Sequence, residues 1–504
     1  MWIVLALWLT VTQQQEHEHA HHDAGETTGR VHFASTCTNG AAETVEQAVW
    51  MLHSFWYEEA EATFGRALAQ DPRCGMAHWG VAMTAYHPLW QPPLSPGALK
   101  HGREAITAAR GTPALLSPRE HDYIEALGAF YDLPDGSELH ARALAYESAM
   151  AALTAKYPQD DEAAIFYALA LNGSALPTDK TYAKQKQAAA ILNRLLDRYP
   201  RHPGIAHYLI HSYDSPPLAK MALAAARSYA AIAPAVPHAQ HMPSHIFTRL
   251  GLWDESIASN RRAEEAAKAY ATRTHMKGTW DEQIHAMDYL VYAYLQEGKN
   301  REAAATLHEL ETMTALEPEN IKSTYGVAAM RARYPLERHA WAEAAALQDV
   351  PWIGWDKQPR SAALTEFARG VGAARNGNIT QANQAEAKLA RLEKEVEAQH
   401  DADWAAQIEV QRLTVAGWSA HAEKNEADAL RSLRAAADLE DRSEKLPITP
   451  GPLLPAREQL GDLLLSQGDC RAAAVEYAAV LEVAPGRRNA LEGAAAAAKC
   501  TAAK

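Results

Sequence analysis

Positions recur at an interval of 34 residues in this chain. Pro200 and Pro234, His207 and His241, and His211 and His245 are each separated by that interval. A period of this length signals supersecondary units that stack on one another, and it restricts the fold more than any other feature. A chain of 504 residues ordinarily divides into several domains, but a stacked array need not. Alanine is frequent and phenylalanine sparse, which points to helices with small residues at their contacts.

The pattern of small and aromatic residues in the unit resembles the tetratricopeptide repeat. In the C-terminal copy, "LPAREQLGDLLLSQGDCRAAAVEYAAVLEVAP", Leu460, Gly461, Gly468, Ala473, Tyr477 and Pro485 take positions 7, 8, 15, 20, 24 and 32. In the first copy, "YEEAEATFGRALAQDP" carries Ala60, Phe64, Ala67 and Pro72 at 20, 24, 27 and 32. The resemblance, which extends to bacterial exported proteins of this repeat class, implies an all-α, right-handed superhelical solenoid. It would hold about eleven helix pairs over 41–487 and a C-terminal capping helix, so that the solenoid fills 41–504. Each pair cannot bury its apolar face alone, so neighbours stack and leave a concave surface. In the family, the first helix of each pair lines that surface, chiefly through positions 2, 5, 9, 12 and 13. Such repeats serve many purposes, so the fold does not supply the function.

Pro200, Pro234 and Gly251 agree on one register. It puts His207 and His211 at positions 5 and 9 of one unit, and His238, His241 and His245 at 2, 5 and 9 of the next. Gly298 sets the third unit, with His285, Asp288 and Tyr292 at the same positions. Nine groove positions thus hold six histidines, and Gly204 completes the set. With 23 histidines in the chain, chance would give fewer than one. Histidines four apart on a helix can share one ion, and Cu, Zn or Fe all accept imidazole. The expected metal ligands are therefore His207, His211, His241 and His245, with His238, His285 and Asp288 as further ligands or proton-transfer groups. Seven donors exceed one four-coordinate shell, so either two ions bind or some residues sit behind the ligands. Tyr292 and Arg249 are weaker groove candidates, Tyr292 as a hydrogen-bond donor to a ligand. His53 and His87, again 34 apart, are weaker still; a helix-end histidine bonding a carbonyl is their simpler reading. Glu458 and Asp462 read as solvated acids.

The opening "MWIVLALWLTVTQQQ" is too short to span a bilayer. Residues 1–15 fit the apolar core of a secretory signal, although the basic region before it is missing and no cleavage site is clear. That favours an exported, periplasmic or extracellular protein. Residues 16–40, including "EHEHAHHD", read as a His-rich disordered segment. The four cysteines, Cys37, Cys74, Cys470 and Cys500, allow three pairings. Cys37–Cys74 and Cys470–Cys500 is the sequence-local choice, and buried reduced thiols are the alternative.

A net charge of −14 with no basic stripe argues against nucleic acid. No phosphate-binding glycine loop and no serine-nucleophile elbow is present. Two functions compete: a metal site in the concave groove of an enzyme or metal-handling protein, or a non-catalytic scaffold binding a peptide or partner protein there. A small molecule is the third kind of groove occupant.

Overall fold

The computed structural model describes residues 29–89, 94–112, 116–442 and 445–503. They form helix pairs in chain order: α1 Ala41–His53 with α2 Tyr57–Gln70, α3 Gly75–Tyr86 with α4 Pro96–Arg110, α5 Pro118–Tyr131 with α6 Leu139–Lys156, and α7 Asp161–Gly173 with α8 Ala183–Leu196. Next come α9 Pro203–Tyr213 with α10 Leu223–Ile232, then α11 Pro237–His241 and α12 Pro243–Arg249 with α13 Trp253–Arg273. They are followed by α14 Asp281–Gln296 with α15 Asn300–Glu311, α16 Ile321–Glu337 with α17 Trp341–Ala345, and α18 Pro359–Arg375 with α19 Ile379–Glu397. α20 Ala402–Ala422 with α21 Glu426–Glu440, α22 Ala456–Ser466 with α23 Cys470–Val483, and the cap α24 Arg488–Ala502 complete the array. The architecture is the expected all-α solenoid of eleven pairs and a last helix. One two-residue parallel ladder, Thr279–Trp280 with Leu316–Glu317, interrupts it.

The local chemistry follows the unit. In α2 the apolar stripe Ala60, Phe64 and Ala67 is fully buried, one face of a 3.6-residue period. Between first and second helices, Gly251, Gly298, Gly377 and Gly468 turn the chain at φ of 68° to 79°, the left-handed conformation that ends a helix most cheaply at glycine.

The array curls back on itself twice. α9 touches α1 as well as α7, so the first eight helices make one closed turn. At the other end α24 meets α14, the Trp253 indole donates to Gly486 O, and Arg487 is buried between Glu337 and Glu458. Glu458 is therefore a buried ion-pair partner. Asp462 is half-buried and accepts from the Tyr477 hydroxyl. Neither is the solvated acid expected from sequence.

Residues 1–15 and the histidines of 16–28 lie outside the described residues. From residue 29 the expectation of disorder does not hold. Gly29 and Arg30 donate to Ile232 O and Arg201 O, Phe33 is buried against Trp79, and Cys37 is bonded to Cys74. Cys470–Cys500 staples α23 to α24. The sequence-local pairing is the one present.

Candidate metal centre

α9, α11, α12 and α14 lie where the two turns meet, and their histidines form two three-imidazole groups: His207, His211 and His238, and His241, His245 and His285. The arrangement repeats. Each group takes positions 5 and 9 of one unit, one helical turn apart, and position 2 of the next. In the first group, His207 Nε2 is 3.1 Å from His211 Nε2 and 3.2 Å from His238 Nε2. In the second, His241 Nε2 is 3.0 Å from His245 Nε2, and the His285 ring centroid is 4.3 Å from that of His241. The groups abut: the His211–His245 and His238–His241 centroids are each 6.3 Å apart.

The other ring nitrogens decide where the lone pairs point. His207 Nδ1 donates to the main-chain oxygen of His53, at the end of α1, over 2.7 Å. His241 Nδ1 donates to Asn260 Oδ1 on α13 over 2.6 Å, and the Asn260 amide nitrogen is turned away onto Ser256 O. His245 Nδ1 donates to the Asp214 carboxylate over 2.9 Å. These acceptors carry no proton, so each Nδ1 must. A neutral ring then presents a bare lone pair at Nε2. His241 and His245 aim two such lone pairs at each other.

Burial drives His207 and His241 well below the usual imidazole range, helped by their histidine neighbours. His245 falls to about 4, again chiefly by burial, although Asp214 opposes the shift. Burial works to raise Asp214, but Lys445, Arg249 and His245 together hold it well below the carboxylate range. The rings are clamped by aromatics: Tyr229 stacks on His207 and Tyr289 on His245. The Tyr289 hydroxyl reaches His245 Nε2 at 3.3 Å and Thr449 O at 3.1 Å.

Several sequence expectations change. The inner set is not His207, His211, His241 and His245 alone, because His238 and His285 complete the two groups. Asp288 lies outside both, fully buried with its nearest cation, Arg333 Nε, at 3.8 Å. The hollow is no open groove: five of the six rings are 4% exposed or less. Tyr292 packs on Trp253 and beneath Arg333, and it is Tyr289 whose hydroxyl meets a ring nitrogen of the two groups. His87 stacks on Tyr57. His53 bonds Glu162 and Tyr208 rather than a carbonyl. Gly204, the one groove position with no side chain, is explained by His53, whose Nδ1 would lie 2.6 Å from a Cβ there. Asp214, Asn260, Lys445 and Thr449 carry no mark in the repeat pattern; Asp214 alone stands near a marked position, three residues after His211.

A cavity of about 480 Å³, lined by none of the six histidines, lies behind the residues that back the second group. Arg249, Lys445 and Thr449 line it while touching Asp214 or Tyr289 from the other side. Tyr292, Tyr325, Phe367 and Trp404 make it aromatic.

No known protein family and no curated protein matches the chain. Among solved structures, the human IFIT1 dimer with m7Gppp-AAAA aligns over 85% of this chain and 90% of its own, at 12% identity and a TM-score of 0.37. Yeast Tom70 aligns over 92% and 96%, at 11% identity and 0.27. The TPR domain of P58(IPK) aligns over 92% and 98%, at 12% identity and 0.21. Scores this low carry no functional argument. Eleven stacked helix pairs among the described residues, four of them joined by left-handed glycine turns, make the fold an all-α helical solenoid.

Proposed function

We propose that this solenoid is a metalloprotein whose two histidine groups hold a pair of transition-metal ions. One observation carries the reading: the buried, neutral imidazoles of His241 and His245 aim Nε2 lone pairs at one another 3.0 Å apart. That arrangement is repulsive unless a cation stands between them. The outer partners of His207, His241 and His245 support it, since metal-bound histidines commonly donate the second N–H to a carbonyl or carboxylate. Three neutral nitrogen donors per ion, with no carboxylate among them, suit copper best, ahead of zinc and iron.

Three protein ligands leave a position open on each ion, the mark of a catalytic rather than a structural site. With the groups in contact, one small ligand can touch both ions. The aromatic cavity has the size of a small-molecule site, so the favoured activity is metal-dependent chemistry on a small molecule, with a metal-bound water or dioxygen as co-reactant. The peptide-scaffold alternative gains nothing from the site, because the groove positions it needs are filled by buried side chains. Two disulfides support export to an oxidising compartment.

The test is metal content by mass spectrometry on full-length chain purified without a tag and loaded with copper. His207→Ala and His241→Ala should each remove one ion per chain, and the double variant two. Unchanged content in a folded double variant would end the reading.

A further inference from the structure

We propose a third metal site, formed by His53, Glu162 and His202, that takes a single divalent first-row ion independently of the six-histidine pair. The three residues come from three elements: the last residue of α1, the second of α7, and the residue capping the start of α9. His53 Nε2 lies 3.0 Å from Glu162 Oε2, and His202 Nε2 lies 2.9 Å from Glu162 Oε1. One donor atom from each falls within 4.8 Å of the others. Around an ion bonded at about 2.0–2.1 Å, neighbouring ligand atoms are roughly 3 Å apart, so the set is already close to a coordination shell.

Charge gives the second argument. The Glu162 side chain is 7% exposed, and His53 and His202 are its ion-pair partners among the described residues. No lysine or arginine is paired with it there. A carboxylate buried beside two imidazoles is balanced by a protonated ring or by a bound metal ion, and the three donors stand close enough to share the second. His202 Nδ1 is also buried without a hydrogen-bond partner. Such a polar atom is uncommon in a purely structural network.

Access is the third. Glu162 and His202 line a cavity of about 850 Å³, which gives an ion both a way in and room for water or a further ligand. Its wall includes Arg30, Val31 and His32, a few residues beyond the His17–His22 run of the sequence. The site has outer partners of its own: the Tyr208 hydroxyl lies 2.9 Å from His53 Nδ1. Two imidazoles and a carboxylate form a harder donor set than six imidazoles. It favours zinc or ferrous iron where the pair favours copper.

The experiment uses the full chain dialysed against zinc, with metal counted by mass spectrometry. Glu162→Gln should hold one ion fewer than wild type, and combining it with His207→Ala should remove two. An anomalous map from wild-type crystals soaked in zinc should show a peak between His53, Glu162 and His202, which decides the matter even where a variant misfolds. An unchanged count in folded Glu162→Gln, or a metal-replete map without that peak, leaves only a hydrogen-bonded network and overturns the proposal. The two readings fail separately. If the pair is wrong, His207→Ala and His241→Ala leave the count unchanged while Glu162→Gln still lowers it.

Discussion

At the scale of single residues, the outcome turns on which nitrogen of each ring is protonated and which acids are charged. Two acids near the pair behave in opposite ways. Asp214 has two cations and an imidazole to hold it ionised. Among the described residues Asp288 has only Arg333 at 3.8 Å and no hydrogen bond, and burial pushes it up to about 7. An unfolded aspartate ionises near 3.9, so between these values the folded chain binds the extra proton. The associated stability is full at low pH and is lost as pH rises through about 7. Asp288→Asn should therefore raise Tm at about pH 8 more than at about pH 4, and metal content should not change. A lost ion would return Asp288 to the ligands, as the sequence pattern suggested.

At the scale of elements, two helix ends shape the pair. Pro243 has no N–H for the Ala239 carbonyl, and the helix that sequence reading treated as continuous is split into α11 and α12 at Met242. The split falls between His241 and His245, which still meet at 3.0 Å, while His238 and His285, each at position 2 of its unit, join positions 5 and 9 of the unit before. α9 stops at Tyr213, just ahead of Ser215-Pro216-Pro217, where proline disfavours helix in the residue before it. That stop leaves Asp214 as the C-cap, bridging His245, Arg249 and Lys445. Asp214→Asn keeps an acceptor but removes the charge. It should weaken the ion at His241, His245 and His285 by roughly ten- to a hundredfold, read by competition with a chelator. The ion at His207, His211 and His238 should hold its affinity. Equal weakening of both would show that Asp214 acts on the fold rather than on one ligand.

At the scale of the whole molecule, closure of the superhelix turns a groove into an interior. Arg487 shows what holds it closed: fully buried, it forks onto Glu337 of α16 and Glu458 of α22. Removing one partner of a buried ion network typically costs about 3–5 kcal/mol. Arg487→Ala should lose stability on that order in denaturant titration, and Arg487→Lys, which lacks the planar fork, should recover only part of it. A loss under about 1 kcal/mol would mean that the ends are held elsewhere.

The repeat, the helix pairs, the capping helix and the histidines at positions 2, 5 and 9 were all legible in the residues, because a 34-residue period and a 3.6-residue helix are properties of order along the chain. Which rings share an ion was not. His238 parts from His241 and His245 because position 2 of a unit meets positions 5 and 9 of the unit before it, as His285 also does. Glu162 meets His53 across 109 positions, and Lys445 reaches Asp214 across 231. Contacts of that span leave no periodic trace, since they depend on how far each stacked pair rotates against the last. Sequence alone determined the stack and where the imidazoles sit along it. Only the accumulated curvature of the tertiary structure decided that they are buried, grouped in threes and backed by acceptors such as the His53 carbonyl and the Asp214 carboxylate.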